Sequence, residues 1–161
     1  MQVIENTQSR RFALKSLLTT AAASVAGLFG VAQAQAPGTR SERRTSTDDR
    51  PADRPAPLFS GHVVHGGLVY VAGKGEHGEG DISVHTKSVL DQIEAELKRA
   101  GSSMEKVLKV NVYLHDIKDY SGMNNAYRGR FGNRPPVRTT VACYGGIPGS
   151  SLVEIDCIAS L

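Results

Sequence analysis

Residues 135–161 decide the fold. They read Pro135-Pro-Val-Arg-Thr-Thr-Val-Ala-Cys-Tyr144, then Gly145-Gly-Ile-Pro-Gly-Ser-Ser151, then Leu152-Val-Glu-Ile-Asp-Cys-Ile-Ala-Ser-Leu161. Two strand-like runs flank a loop of Gly, Pro and Ser, the pattern of a β-hairpin. The first run carries a lone cation, Arg138, and the second carries Glu154. A charge buried without a partner is costly, so Arg138 requires an anion. Two readings fit: Arg138 grips a substrate carboxylate while Glu154 handles a proton, or the two form a structural ion pair. A hairpin centred near Ile147 and Pro148 would set Cys143 and Cys157 about five residues apart along the ladder, on the order of 16 Å. A disulfide needs Cα atoms within about 7 Å, so two free, buried thiols are expected.

Working upstream, Arg134-Pro135-Pro136 stops a helix expected over Tyr120 to Phe131, with Asp119 as its N-cap. Before it, residues 108–114 alternate, with Leu108, Val110, Val112 and Leu114 on one face of a half-buried strand. A longer helix is expected from Ser83 to Ala100, its stripe formed by Val89, Leu90, Ile93 and Leu97. Gly101 is placed to cap it. His62–Val64 and Leu68–Ala72 form two strands around Gly66-Gly67, a dipeptide suited to tight hairpins. The order ββαβαββ predicts an α+β domain over residues 56–161, a mixed sheet with both helices on one face. Aromatic residues make up only 6% of the chain, and a small core of that kind favours oligomerisation.

The first 34 residues read as an export signal: Arg10, Arg11 and Lys15 precede a mildly apolar run that ends at Ala32-Gln33-Ala34. Ser9-Arg10-Arg11-Phe12 resembles the twin-arginine type, which implies an export-machinery partner and a periplasmic protein cleaved near Ala34. Three of the 19 basic and one of the 16 acidic residues lie in this stretch, leaving 16 and 15, a net of +1. No basic face for nucleic acid follows from that balance. Residues 35–55 interleave arginines with acids and lack large apolar side chains, so a disordered linker is expected.

The loop from Gly73 to Gly80 holds Glu76, His77 and Glu79, with Asp81 directly after it, but their spacing matches no zinc pattern, and a solvated loop is expected with no metal. No nucleotide-binding glycine motif and no Ser-His-Asp arrangement is present.

Several segments together resemble the RidA/YjgF family: Leu68-Val-Tyr-Val-Ala-Gly73, Ala100-Gly-Ser-Ser-Met104 leading into 107–116, Asn124-Asn-Ala-Tyr127, Pro135-Pro-Val-Arg-Thr-Thr140 and Leu152-Val-Glu-Ile-Asp-Cys-Ile-Ala159. The resemblance spans residues 56–161. It implies a chorismate-mutase-like fold assembled as a homotrimer around a central barrel, with clefts between subunits. The implied reaction is hydrolytic deamination of reactive 2-enamine/2-imine acids to 2-keto acids and ammonia, without any cofactor. By position, Arg138 and Glu154 would be catalytic, Arg138 binding the carboxylate and Glu154 directing water. Gly73, Asn124, Tyr127 and Thr140 would line the cleft with Phe59. The chain departs from the family where Pro57-Leu-Phe-Ser-Gly61 replaces Gly-Pro-Tyr-Ser-Gln, and where Lys74-Gly75 follow Gly73. Lys74, Glu76 and His77 are therefore expected to reshape the cleft rim. The alternative is a non-enzymatic envelope protein that binds a small acid or acts as a holdase. A ribonuclease reading, attached to some relatives, gains little from the near-neutral charge.

Overall fold

In the longest helix among the described residues, the apolar residues expected on one stripe are all fully enclosed: Val89, Leu90, Ile93 and Leu97. The computed structural model describes residues 42–51 and 53–161, and the export-signal reading and residues 35–41 of the arginine-rich segment lie outside them. The helix, α1, runs Ile82–Ala100. Asp81 caps it, its side chain accepting from the Val84 N–H at 2.9 Å. Gly101 ends it in the left-handed region at φ 87°, donating to the carbonyls of Leu97 and Lys98.

Six strands form one sheet: β1 (Arg44–Thr45), β2 (His62–His65), β3 (Leu68–Gly75), β4 (Val107–Leu114), β5 (Val137–Ala142) and β6 (Val153–Ser160), in the order β1-β2-β3-β6-β4-β5. Both helices, α1 and α2 (Tyr120–Tyr127), pack on one face, as the α+β reading requires. Gly66 and Gly67, at φ 62° and 75°, make the tight turn between β2 and β3.

The C-terminal hairpin is not formed. β5 pairs in parallel with β4, and β6 inserts antiparallel between β3 and β4. Val153, Ile155, Cys157 and Ala159 alternate as buried residues, and a strand so apolar on its inner face is better placed centrally, with both edges paired. Residues 143–152 therefore cross over the end of β4 rather than turning back on β5. Cys143 lies beyond that end, its N–H bonded to Leu114 O, while Cys157 sits beside Val110. Both thiols are free, but Cys143 is exposed and only Cys157 is buried.

Three local expectations are also corrected. A register shift between Val107 and Lys109 turns Val107 into the core and leaves Leu108 50% exposed. Asp119 makes no side-chain cap; Asp116 accepts from the Lys118 N–H instead, opening a 3-10 turn ahead of α2. α2 stops at Tyr127, and Gly129 and Gly132 adopt positive φ. Phe131 still packs on Tyr127, ring centroids 4.8 Å apart.

Part of the expected linker is ordered. β1 pairs with β2 through Arg44↔Val64 and Thr45↔Val63. Asp48 accepts from both the N–H and the hydroxyl of Thr45, and the Ser46 hydroxyl accepts from the Gly61 N–H at 2.7 Å. Backbone pairing with an open strand edge needs no apolar side chain, which is why composition alone missed it. Among the described residues no helix is long and apolar enough to cross a membrane.

Candidate functional site: two half-sites on opposite faces of the sheet

Register assigns each side chain to a face. β6 places Glu154 opposite Tyr113 and Asp156 opposite Asn111, on the face away from the helices. There a cavity of about 270 Å³ is lined by Gly73, Tyr113, Cys143, Glu154, Asp156 and residues 146–148. Gly73 lies in the irregularity between Val71 and Lys74 where β3 meets β6. A Cβ at Gly73 would stand 2.1 Å from Glu154 Oε1, so only glycine lets the backbone come this close to the carboxylate. Asp156 is held by the Asn111 side-chain amide at 2.8 Å. Burial, and then the negative charge of Asp156, push the Tyr113 hydroxyl above its usual range. No cationic side chain lines this cavity.

Arg138 lies on the other face. Its parallel partner is Val110, a core residue, and it points with Val110 towards the helices. The guanidinium sits 4.6 Å from the Tyr127 ring centroid and 5.9 Å from that of Tyr120. It donates to the Tyr120 hydroxyl at 3.4 Å and reaches Met123 Sδ at 3.9 Å. The Tyr127 hydroxyl is buried without a well-aligned partner, as is the Thr140 hydroxyl two residues along β5. Burial pushes Tyr127 up to about 12, against the pull of Arg138. Arg138 has no carboxylate within ion-pair distance among the described residues, so the structural ion-pair reading fails within one chain.

The structure thus groups the site residues expected from sequence in two sets. Arg138, Tyr127 and Thr140 belong to one, with Asn124 half-buried on the same helix; Glu154 and Gly73 belong to the other. β4 separates the two, and they face opposite ways. Phe59 joins neither: it is 72% exposed and does not line the Glu154 cavity.

The expected rim residues also go elsewhere. Glu76 accepts from the N–H groups of His77 and Gly78 and from the Ser88 hydroxyl, which together hold its carboxyl below the usual range, Ser88 contributing most. Its own N–H donates to Ser151 Oγ, and Ser150 Oγ donates to the His77 carbonyl. This loop is therefore tied to α1 and to residues 150–151 rather than free in solvent. Among the described residues no three His, Cys, Asp or Glu side chains are grouped to hold a metal.

Lys74 turns to the helix side, where its Nζ meets Glu96 Oε2 at 3.1 Å. Glu96 is the residue that sequence reasoning missed. It is 1% exposed, bonded to His62 Nδ1 at 2.7 Å and to the Arg99 guanidinium. Burial alone would raise its carboxyl, but His62, Lys74 and Arg99 outweigh that and hold it below the usual range. The available signal was its position between Ile93 and Leu97 on the buried stripe. A larger cavity of about 340 Å³ lies beside His62 and Arg99 under the β1 turn. Its Arg44 and Arg99 are offset by Asp48 and Asp49, and it contains none of the site residues.

Residues 49–161 match the family model described as endoribonuclease L-PSP. A RutC family protein of Pyrococcus abyssi is 36% identical over 115 residues, covering 67% of this chain and 90% of its own. A mitochondrial protein of Schizosaccharomyces pombe, mmf2, is 40% identical over 106 residues, covering 61% and 83%. Among solved structures, a Rid-family protein of Yersinia pestis aligns with a TM-score of 0.66 at 27% identity, covering 74% of this chain and all of that one.

Proposed function

This chain belongs to the RidA/YjgF family, described as endoribonuclease L-PSP, and we propose from that premise that it hydrolyses 2-enamine/2-imine acids to 2-keto acids and ammonia. The observation that carries the reading is the division of the site: Arg138, without an ion-pair partner among the described residues, on one face of the sheet and Glu154 in a cavity without cations on the other. A second copy of the chain would bring the two together. The open face supports such packing, since Val137 is 70%, Leu108 50% and Val141 44% exposed there. Exposed apolar side chains clustered on one face mark association surfaces. The assembly we propose is the homotrimer, with a cleft at each interface.

In that cleft Arg138 holds the substrate carboxylate through two parallel hydrogen bonds, its plane kept by stacking on Tyr127. Glu154 of the adjacent copy orients a water and accepts its proton as the oxygen attacks the imine carbon. The C=N electron pair moves to nitrogen. Glu154 returns that proton to the nitrogen, giving a carbinolamine, and then carries the remaining hydroxyl proton to the same nitrogen; the C=O bond forms as the C–N bond breaks, and ammonia leaves a 2-keto acid. A carboxylate is a weak base, but an imine is already electrophilic, so positioning the water supplies much of the effect. The test is ammonia release from freshly generated 2-imino acids. Acceleration that is lost in Arg138→Ala is the expected result. Saturable 2-keto acid binding without acceleration would overturn the reaction in favour of a small-acid binder.

We propose export separately, from the twin-arginine-like start. A reporter fused after Ala36 should reach the periplasm, and Arg10→Lys with Arg11→Lys should retain it in the cytoplasm; unchanged export would refute the assignment.

A further inference from the structure

Two departures from the family pattern, Gly61 and Lys74, meet at one buried carboxylate. A Cβ at Gly61 would stand 2.8 Å from Glu96 Oε1, so a larger residue there would collide with Glu96. Lys74 approaches the other oxygen. Lys74 directly follows Gly73, and the two point to opposite faces of β3: Gly73 abuts Glu154 on the open side, while Lys74 is locked to Glu96 on the helix side.

Between Val71 and Lys74 the β3 chain carries one residue more than β6 opposite it. Such a bulge is not fixed by the ladder alone and needs support from side chains. On its N-terminal side, the Ala72 N–H donates to the Gly61 carbonyl at 3.0 Å. On its C-terminal side the ladder resumes at Lys74↔Ile155 and Gln92 Nε2 donates to the Gly75 carbonyl at 3.1 Å, and the side chain next to the bulge is fixed by the Lys74–Glu96 pair, 16% and 2% exposed and little screened by solvent. Glu96 is itself enclosed, between the fully buried Ile93 and Leu97 and bonded to His62.

We propose that the Lys74–Glu96 ion pair is a positioning device for Glu154, pinning the β3 bulge so that the Gly73 backbone holds the Glu154 carboxylate in its working orientation. A buried ion pair is weak evidence for stability, since apolar residues of similar volume often do as well. What it adds is a fixed geometry. The kinetic part of this inference rests on the proposed deamination; the placement of Glu154 does not.

The experiment compares Lys74→Met, Lys74→Arg and, as a control, Lys98→Met, which removes an exposed pair with Glu94 on the same helix. Carboxylate binding by Arg138 does not use Glu154, which lies on the opposite face of the sheet, so Lys74→Met should lower kcat by about tenfold or more with KM nearly unchanged, as expected of a displaced catalytic group. Lys74→Arg should restore most of the rate, and Lys98→Met should match the unaltered protein. The ¹³C resonance of the Glu154 carboxyl should move in Lys74→Met but not in Lys98→Met. An unchanged kcat in an active enzyme, a change confined to KM, or an unmoved Glu154 resonance overturns the proposal. If the unaltered protein deaminates no imine yet the resonance moves, the positioning stands and the reaction falls.

Discussion

On the helix side of the sheet, Glu96 is enclosed by His62, Lys74 and Arg99, and each of its oxygens is engaged. On the open side, Glu154 is half-buried, with the Gly73 backbone beside it and no cation in its cavity. Arg138 resembles Glu154 in this respect, stacked on tyrosines but without an ion-pair partner among the described residues. The difference separates charges used by the fold from charges left for a ligand. A saturated cluster contributes geometry; an unsaturated one has capacity for chemistry.

The largest effect should come from the unsaturated set. Arg138→Ala should lower kcat/KM by about a thousandfold, the loss of a charge-assisted bidentate anchor, while shifting stability by only about 0.5–1 kcal/mol through the lost stacking. Glu96→Ala should do the reverse, costing about 3–5 kcal/mol in urea unfolding because the largely buried Lys74 loses its anion and the buried His62 its hydrogen-bond partner. Equal effects of the two variants on stability would break the contrast.

The pH dependence sharpens it. The Glu96 carboxyl is held below its ordinary value in the folded chain, so its contribution is present above the unfolded value and is lost as pH falls through the folded one. Glu96→Gln should therefore flatten the acid limb of stability against pH. An unchanged limb would mean that the cluster does not titrate with folding.

Smaller effects test the space around Glu96 and the placement of the thiols. Gly61→Gln should cost about 1–3 kcal/mol by overpacking, and less when combined with Glu96→Ala, since contacting residues are not additive. In the folded protein a thiol reagent should label the exposed Cys143 and leave Cys157, whose thiol burial pushes up to about 12. Labelling of both at one rate would contradict the crossover of residues 143–152.

Periodicity made α1, β2, β3 and most of β4 legible, because apolar spacing reports directly on which face is buried. Apart from the β2–β3 hairpin marked by Gly66-Gly67, pairing partners were not legible. The run at 137–142 reads the same whether it pairs with β6 or β4, and only the insertion of β6 between β3 and β4 distinguishes them. Arg138 and Glu154 were visible as single charges on apolar strands, yet their opposite faces depend on that topology. Glu96 was hidden for another reason: glutamate on a helix reads as solvent-facing unless its partners are known, and His62 and Lys74 lie far from it in sequence.

The central claim is that a working site draws Arg138 and Glu154 from different copies of the chain. Arg138→Ala and Glu154→Gln should each be inactive alone. Co-refolded in equal amounts, they should regain about a quarter of the unaltered activity, the share of interfaces that pair an intact Arg138 with an intact Glu154 in a closed ring of random composition. Mixed assemblies with no more ammonia release than the two parents would place both residues in one copy's site and contradict the account.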